Sequence, residues 1–535
     1  MPHDTMVLPK GISRLAIEKW ENGHQNFTHT FKKNASFKLE RPDLAASNGE
    51  NYKATTRNFQ WLIQYALDND IRLRAMGNGW SFSDVAVCEG GLVDTKSLTL
   101  SFIIAHSFLH AEYLDKGNQP GDLFFVQCGI SILRINELLE THLNPRRCLK
   151  ASGASNGQSI AGCISTGTHG SAFEVGAVHD TVVGMHIIVG PERHVWLEKA
   201  SNPVASPDFL NWLGAELVRD DDKFNAALVS FGSFGFVHGV MLETAPIFLL
   251  EKHISKKMAY DKPAIDAINS LDFSLIAGKL PFPPNQPGKK LYHFEVIVNP
   301  HVFEHDNAAK GIYIRTIYKT THRDDYTKIK RDGNGFTYGD NTLGVMQTII
   351  DKLGAKLSAL LVPALVTKMM PLAFTVAEET TGTIGEQFNN TRFRGQAASA
   401  AIAVDCSNAS RVIEEIIAIN KKHPFPGALA MRYVKGTEAL MGFTRFRKSC
   451  VMELDGVDSA MARAFYQSIC NRLEELSIPY TLHWGKINSN LTAARIKTMY
   501  GANLDKWINV RHELLDLSVR KVFNNEFMAR CGLDV

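Results

Sequence analysis

The stretch GASNGQSIAGCISTGTHGS, residues 153–171, contains few side chains large enough to fill a hydrophobic core. Glycines alternate in it with serines and threonines, at Gly153, Gly157, Gly162, Gly167 and Gly170. Glycine lets a backbone approach a ligand closely, and successive free N–H groups form a concave surface that suits phosphate oxygens. The stretch therefore predicts a ligand-binding segment rather than a core element.

Two further glycine-rich stretches lie on either side of it. RAMGNGWS (74–81) follows a short apolar strand, and FGSFGFV (231–237) precedes another. Gly77-Asn78-Gly79 begins like the Rossmann turn but lacks the third glycine that seats the following helix, so taken alone it is equally typical of an ordinary tight turn. Three such stretches in one chain indicate a ligand with two phosphates and a long tail, as in a dinucleotide.

Hydrophobic periodicity outside these stretches predicts alternating helices and strands. Helical spacing over 55–68 predicts a helix capped by Thr55 or Thr56. The other predicted elements are the strands Ile71–Met76, Leu123–Gln127, Cys148–Lys150, Ala397–Val404 and Ala428–Tyr433, the helices Ile132–Glu140 and Ser410–Asn420, and a hairpin of Thr181–Val189 with His194–Glu198. Such alternation implies a layered arrangement of helices and sheets.

Composition places the chain among ordinary globular proteins. Its 535 residues are 45% hydrophobic and 21% charged, which excludes disorder, collagen, a coiled coil and a membrane-spanning bundle. Lys plus Arg number 58 against 55 acidic residues, and no polybasic run occurs, so no nucleic-acid partner is predicted. The cysteines form no CxxC pair and the histidines no HExxH motif, so no metal site is predicted, and the thiols are expected to be buried and free.

Two segments bear on localisation. The N-terminal MPHDTMVLPK lacks the charged start and long apolar core of a secretory signal, so a reducing, cytoplasmic location is expected. Residues 343–376 are apolar but contain three lysines and two prolines, so no clear membrane span is predicted. They predict helices of a substrate-covering domain, and a surface helix that touches a membrane or a partner is the alternative.

The order of the glycine-rich stretches carries a specific resemblance. RAMGNGWS (74–81), SIAGCISTGTHGS (159–171) and FGSFGFV (231–237) resemble the FAD-binding domain of the vanillyl-alcohol oxidase family, also called the PCMH-type domain. Near the C-terminus, His483-Trp484-Gly485-Lys486 resembles the HWGK motif of the aldonolactone and alditol oxidase branch. The closing WINVRHELLD and VFNNEF segments also resemble that branch, whereas the region between about 250 and 425 does not.

The resemblance implies an α+β fold and a domain order. A two-subdomain PCMH-type FAD-binding domain (51–250) would follow an N-terminal arm (1–50). A substrate or cap domain with a large antiparallel sheet (251–470) would come next, and a C-terminal segment (471–535) would return to the flavin site.

The resemblance also implies non-covalent FAD and the residues that bind it. Gly77, Asn78, Gly79 and Ser81 would cradle the pyrophosphate. The flavin and its ribityl chain would contact Ser159, Gly162, Ser165, Thr166, Gly167, His169 and Gly170, with Gly153 and Ser155 in the same set, while Gly235 and Val237 would offer backbone to the adenine end.

Lys486 and His483 are the first two candidate catalytic residues. Hydride transfer to flavin N5 places negative charge at N1 and the neighbouring carbonyl, and a fixed ammonium from Lys486 would stabilise it. A surface lysine is the alternative. His483 would hydrogen-bond substrate or flavin or accept a proton, or else it supports the Lys486 turn.

Arg432 is the third candidate. It matches the arginine of a Glu-x-Arg pair that this branch uses near substrate, but Ala430 stands where the glutamate is expected. The missing carboxylate argues against a polyol or sugar-lactone substrate. Arg432 alone suits a carbonyl or carboxylate, and a surface ion pair is the alternative.

Trp80 occupies the position at which many relatives carry a histidine bonded to the flavin 8α carbon. Indole offers only an N–H donor, so this covalent bond is not expected, and Trp80 would pack against the flavin ring. Cys163 lies in the flavin segment, but its offset does not match the cysteine tether of the berberine-bridge relatives.

These observations predict an FAD-dependent oxidoreductase with a small-molecule substrate. It would be an oxidase that passes hydride from a hydroxyl- or amine-bearing carbon to flavin N5 with molecular oxygen as acceptor, because the resemblance places oxygen access at Gly153-Ala154, where both residues are small. One alternative is an FAD-dependent dehydrogenase or biosynthetic tailoring enzyme that acts on a bulkier, non-sugar substrate. The other is a non-catalytic flavin-binding protein.

Overall fold

A computed structural model describes residues 7–153, 155–331, 361, 363–368, 370, 379–391, 393 and 396–535, with the backbone alone at 254–256. Its first sheet joins N-terminal strands to the strand that precedes the first glycine-rich stretch. The strand order is Ile12–Arg14, Phe37–Leu39, Gly91–Asp94 and Leu73–Met76, and the last two neighbouring pairs are parallel. The N-terminal strands Lys19–Glu21 and Thr28–Thr30 form a separate antiparallel pair.

The first long helix begins earlier than the sequence predicts. It spans Asn48–Asp68 and is capped by Ser47, whose side chain accepts a hydrogen bond from the backbone of Glu50. The predicted caps Thr55 and Thr56 are wrong, because both lie inside the helix and each hydroxyl donates to the carbonyl four residues earlier. Threonine can satisfy its hydroxyl in this way, so its presence alone does not mark a helix start.

The second sheet confirms the predicted hairpin, with Val182–Ile188 antiparallel to His194–Glu198. The full strand order is Glu216–Arg219, His194–Glu198, Val182–Ile188, Phe236–Pro246, Leu123–Gln127 and Ser101–Ile103, and Arg147–Leu149 also pairs with Phe236–Pro246. The long helix lies between the first two sheets. Its Tyr65 ring is 5.2 Å from that of Phe37 in the first sheet, and its Phe59 ring is 5.0 Å from that of Phe236 in the second.

A large antiparallel sheet, here called the cap sheet, follows and confirms the predicted α+β fold. Its strand order is Thr380–Gly382, Phe248–Met258, Ile312–Thr321, Lys289–Val298, Gly427–Lys435, Lys448–Val457, Ala397–Asp405 and Tyr480–Leu482, with Asn285–Gln286 paired to Lys289–Val298. The predicted strands over 397–404 and 428–433 are confirmed within it, as is the helix predicted over 410–420, which spans Ala409–Lys422.

Helices near the C-terminus pack back on the first half of the chain. Trp507 contacts Phe234 and Phe523 contacts Phe236, each with ring centroids 5.0 Å apart. These helices are Ala493–Tyr500, Ala502–Leu514, Leu517–Val522 and Glu526–Cys531. The other α-helices are Ala111–Asp115, Ile132–Glu137 (continued by a π-helical turn over Leu138–His142), Ile160–Thr166, Pro207–Leu213, Asp221–Leu228, Lys262–Ser270, Ile384–Gln387 and Ala460–Glu475.

Three further sequence predictions concern the cysteines, the apolar segment 343–376 and the domain boundaries. All eight cysteines are buried and free, as predicted. The helices predicted over 343–376 lie largely outside the described residues, and no helix within the described ranges is long and apolar enough to cross a membrane. The predicted domain boundaries stay a prediction.

Candidate active site

One cavity is lined by the three glycine-rich stretches, the cap sheet and the HWGK turn together. The structure therefore brings most of the predicted site to one place. The predicted residues that line the cavity are Gly77, Asn78, Gly79, Trp80, Ser81, Ser155, Ser159, Gly162, Ser165, Thr166, His169, Gly235, Val237, Arg432, His483 and Lys486.

Three predicted cofactor residues are not among those lining the cavity, namely Gly153, Gly167 and Gly170. Gly167 ends its helix with a left-handed φ of +78°. A Cβ on Gly170 would lie 2.3 Å from the carbonyl oxygen of Ser152, and one on Gly153 would lie 2.9 Å from Cγ2 of Thr168. A left-handed helix end accounts for Gly167, a neighbouring carbonyl for Gly170 and the Thr168 side chain for Gly153, and a sequence pattern cannot separate such requirements from ligand contact.

The GxG loop forms a cradle with no room for side chains. A Cβ on Gly77 would lie 1.9 Å from the hydroxyl of Ser159, and Gly79 has a φ of +70°. The side-chain amide of Asn78 donates to the carbonyl of Gly157 at 2.5 Å, which joins the first two glycine-rich stretches. A bare backbone concavity of this kind fits the diphosphate of FAD.

The second glycine-rich stretch, predicted as a ligand-binding segment rather than a core element, contains a short helix, Ile160–Thr166. Its apolar residues Ile160, Cys163 and Ile164 are buried in the core. The small residues Gly162, Ser165 and Thr166 recur at helical spacing on the other side and line the cavity. The stretch thus packs on one face and leaves small polar groups toward a ligand on the other.

The HWGK turn docks directly on the residues that follow the GxG loop. The backbone N–H of Phe82 donates to the carbonyl of Gly485 at 2.8 Å, and the Ser83 hydroxyl donates to the carbonyl of Trp484 at 2.7 Å. A Cβ on Gly485 would lie 3.3 Å from the Ser81 hydroxyl. Two motifs about 400 residues apart in sequence therefore form one site.

Arg432 is buried, so the alternative of a surface ion pair is wrong. Its Nε donates to Glu295 at 3.0 Å and its Nη1 donates to Glu453 at 3.2 Å. Strand register explains these contacts, because Glu453 lies directly opposite Ala430 and Glu295 directly opposite Arg432. The carboxylate that is missing at Ala430 is therefore present on the neighbouring strand.

Glu453 connects the candidate cations. Besides Arg432 it contacts the ammonium of Lys486, and its Oε1 lies 3.4 Å from Nε2 of His169. The Lys486 side chain is 17% exposed and lines the cavity, so it is not the surface lysine of the alternative reading. Two residues farther along the strand, Asp455 accepts a hydrogen bond from the Ser399 hydroxyl at 2.7 Å, and both line the cavity.

The two carboxyl groups of this strand have opposite pKa shifts. Burial acts to raise the pKa of Glu453, but the nearby Lys486 and Arg432 outweigh it and hold that pKa well below its usual range. Burial raises the pKa of Asp455, and the charge of Glu453 adds to the increase. The site thus combines a firmly ionised carboxylate with one that binds a proton more readily, a pattern typical of acid–base sites.

Two of the histidines that line the cavity, His169 and His483, are neutral near pH 7. Burial lowers the pKa of His169 to about 4 and that of His483 well below its ordinary value. Nδ1 of His483 accepts a hydrogen bond from the backbone of Gly485 at 2.9 Å, so in the neutral ring the proton is on Nε2. This arrangement leaves His483 as a donor toward the cavity and a support of the HWGK turn, and it disfavours the proton-acceptor role.

We expect flavin reduction by a non-ionising substrate to show no step from His169 or His483 between pH 6 and pH 8. Both pKa values are lowered, so both rings stay neutral across that range and would gain charge only in more acidic solution. Anaerobic single-turnover reduction rates measured across the range test this. A step near pH 6.5 that disappears in His169→Gln or His483→Gln would contradict the assignment.

Sequence reasoning missed Glu295, Glu453 and Asp455, which lie in the strands Lys289–Val298 and Lys448–Val457. The sequence did contain a pattern that could have revealed two of these carboxylates. Glu453 and Asp455 stand at alternate positions of the otherwise apolar segment CVMELDGV, which places both carboxylates on one face of a buried strand. Their contacts with Arg432 and Lys486 depend on strand pairing and could not be derived from spacing.

Sequence comparisons find distant relatives among sugar-lactone oxidoreductases. L-gulono-1,4-lactone dehydrogenase of Mycobacterium tuberculosis is 22% identical over 475 residues, which cover 88% of this chain and 92% of the relative. L-gulonolactone oxidase 3 of Arabidopsis thaliana is 21% identical over 538 residues (91% and 82%), and D-arabinono-1,4-lactone oxidase of Yarrowia lipolytica is 26% identical over 199 residues (37% and 32%). No family model matches the sequence.

Solved structures establish the fold. Cholesterol oxidase from Brevibacterium sterolicum superposes with a TM-score of 0.66 at 14% identity, covering 98% of this chain and all of that one. A VAO-type flavoprotein from Myceliophthora thermophila gives 0.53 at 11% identity, covering 90% and 78%. The fold is that of VAO-type flavoproteins, and together with the named relatives it confirms the resemblance that the sequence motifs carry.

Proposed function

We propose that the protein is an FAD-dependent oxidoreductase that oxidises a hydroxyl-bearing carbon of a small, polar substrate. One observation carries the proposal. A single cavity runs from the glycine cradle of the GxG loop to the charged group of Arg432, Glu453 and Lys486. The cradle fits a dinucleotide, and the charged group stands where a substrate and a flavin ring would meet.

Bound FAD supplies the hydride acceptor, and the residues of the chain bind and orient what reacts with it. Arg432 and Lys486 offer charged donors to a substrate oxygen, and Glu453 holds both in place. Asp455 with Ser399 is the pair best suited to hold the hydroxyl proton, because its pKa is raised while that of Glu453 is lowered. Nε2 of His483 would donate a hydrogen bond to the substrate or to the flavin.

The position of Glu453 bears on the substrate. A carboxylate opposite Ala430 can accept hydrogen bonds from hydroxyl groups, which removes the sequence-based argument against a polyol or sugar lactone. The lactone names of the relatives support the same class. A bulkier non-sugar substrate is the second candidate, favoured by the aromatic residues Trp20, Trp80 and Phe82 that also line the cavity.

Anaerobic titration with a panel of sugar lactones, alditols and sterols tests the proposal. Bleaching of the flavin absorbance by a lactone or alditol is the expected result, and bleaching by sterols alone would favour the second candidate. A flavin that no compound bleaches would support a non-catalytic flavin-binding protein. Readmission of oxygen to the reduced enzyme then separates the proposed oxidase from a dehydrogenase, because an oxidase is reoxidised within seconds rather than over many minutes.

We expect FAD to be bound non-covalently. Trp80 lines the cavity at the position of the histidyl bond, and its ring lies 4.8 Å from that of Phe393, so it offers packing and no attachment. Cys163 is buried in the core, and burial raises the pKa of its thiol to about 12, so it is a poor nucleophile.

Acid or heat denaturation should therefore release free FAD into the supernatant. Flavin fluorescence that stays with the gel-resolved polypeptide would contradict the prediction. Comparison of Cys163→Ala with His169→Ala would then identify the tether.

We propose a cytoplasmic location because the cysteines form no disulfide bonds. All eight are free thiols, which suits a reducing compartment.

A further inference from the structure

Arg74 is a buried cation for which the described part of the chain provides no anion. Its side chain belongs to the strand Leu73–Met76 and the residue is only 1% exposed. No carboxylate oxygen of the described residues lies within 4 Å of its guanidinium, and its Nε has no hydrogen-bond partner there. An uncompensated buried charge is costly, and a buried donor without an acceptor requires an explanation.

Its location indicates which ligand. Arg74 lines the cavity, three residues before Gly77 of the GxG cradle. One guanidinium nitrogen donates to the carbonyl of Phe231, and a Cβ on the next residue, Gly232, would lie 3.4 Å from it. The cation therefore lies between the first and third glycine-rich stretches, both of which offer backbone to a dinucleotide.

A second buried arginine, Arg511, differs from Arg74 in its hydrogen-bond partners. Arg511 is also 1% exposed, but it does not line the cavity. It donates to the carbonyl oxygens of Ser233 and Val535, each at 3.1 Å, and to the side chain of Asn524 at 2.6 Å. The chain thus satisfies Arg511 with at least three oxygen acceptors, whereas Arg74 has, among the described residues, one oxygen acceptor, the carbonyl of Phe231, and one weak acceptor, the Met528 sulfur at 2.9 Å from Nη2. Burial lowers the pKa of both arginines, to about 10 for Arg74 and about 9 for Arg511, so the contrast rests on their hydrogen-bond acceptors and on the cavity.

We propose that Arg74 binds the anionic diphosphate of the dinucleotide and adds a charged side-chain contact to the backbone cradle. The inference rests on the proposed FAD-binding function. The diphosphate carries the negative charge of FAD at neutral pH, and a charge-assisted hydrogen bond to it in a buried site is strong. Arg74 is thereby a determinant of cofactor affinity, separate from the residues that act on substrate.

Arg74→Met tests the proposal, with Arg72→Met as the matched control. Arg72 lies two residues away, pairs with Glu89 and is 44% exposed, so its loss changes net charge equally without touching the cavity. The dissociation constant of FAD is read from flavin fluorescence released on dilution of each holoenzyme. We expect about a 30-fold or larger increase for Arg74→Met, less than about threefold for Arg72→Met, and an intermediate value for Arg74→Lys.

Competition of ADP and adenosine with FAD distinguishes a contact of Arg74 with the phosphates from a contact with the adenine. ADP should displace FAD better than adenosine does from the wild type, and this advantage should shrink about tenfold in Arg74→Met. An unchanged FAD affinity, or an equal loss for ADP and adenosine, would overturn the proposal. So would failure of Arg74→Met to fold, since the protein rather than the ligand would then compensate the charge. A wild type that binds no FAD would instead refute the proposed function, and this inference would fall with it.

Discussion

Replacement of Lys486 with methionine should leave FAD bound but slow substrate-dependent flavin reduction by about 10²-fold or more. The ammonium lines the cavity and is held by Glu453. A cation fixed in this way stabilises negative charge that develops as hydride is transferred, and it does so without reorganisation. Methionine keeps the length of the side chain but not its charge. Anaerobic stopped-flow measurement of flavin bleaching gives the rate.

The control for this prediction is Lys486→Arg, which retains the charge and a donor toward Glu453. It should lose far less activity than the methionine variant at equal flavin content. Equal losses in both variants would show that geometry rather than charge matters. Reduction rates that are unchanged in Lys486→Met would remove the residue from the mechanism.

The cofactor side of the site was predictable because its requirements are local. Close backbone approach needs glycine at fixed places in the chain, as Gly77 against Ser159 shows, and such places are visible in sequence. At Gly167 and Gly170 a helix end and a neighbouring carbonyl already require glycine, so contact of these two residues with the cofactor stays a prediction.

The substrate side was only half predictable because its contacts cross strands. Arg432 and Lys486 were found through motifs, but Glu453 joins them through the antiparallel register that sets it opposite Ala430. A one-residue shift of that register would turn Glu453 to the other face of the sheet. The sequence therefore showed only that a carboxylate is missing at Ala430. The fold supplies that carboxylate from Glu453, about 20 residues later in the chain.

Glu453→Gln should both destabilise the protein and slow flavin reduction. Glutamine keeps the shape of the side chain but leaves Arg432 and Lys486 buried beside a neutral group, and removal of one partner from a buried ion pair costs about 3–5 kcal/mol. The folded-state pKa of Glu453 is depressed, so its contribution is complete above the unfolded value of about 4.3 and is lost only as pH falls through the lower, folded one. The stability deficit should therefore be the same at pH 6 and pH 8, as denaturant unfolding can show.

Glu295→Gln is the matched control for Glu453→Gln, since Glu295 contacts Arg432 and Arg315 but not Lys486. If Glu453 acts by positioning Lys486, then Lys486→Met should cost less than about tenfold in the Glu453→Gln background. In the Glu295→Gln background, Lys486→Met should keep its full effect of about 10²-fold, because the ion pair between Lys486 and Glu453 is intact there before Lys486 is replaced. Full additivity of Lys486→Met with Glu453→Gln would show that the carboxylate serves stability alone, and the ammonium would then owe its position to the HWGK turn that carries it.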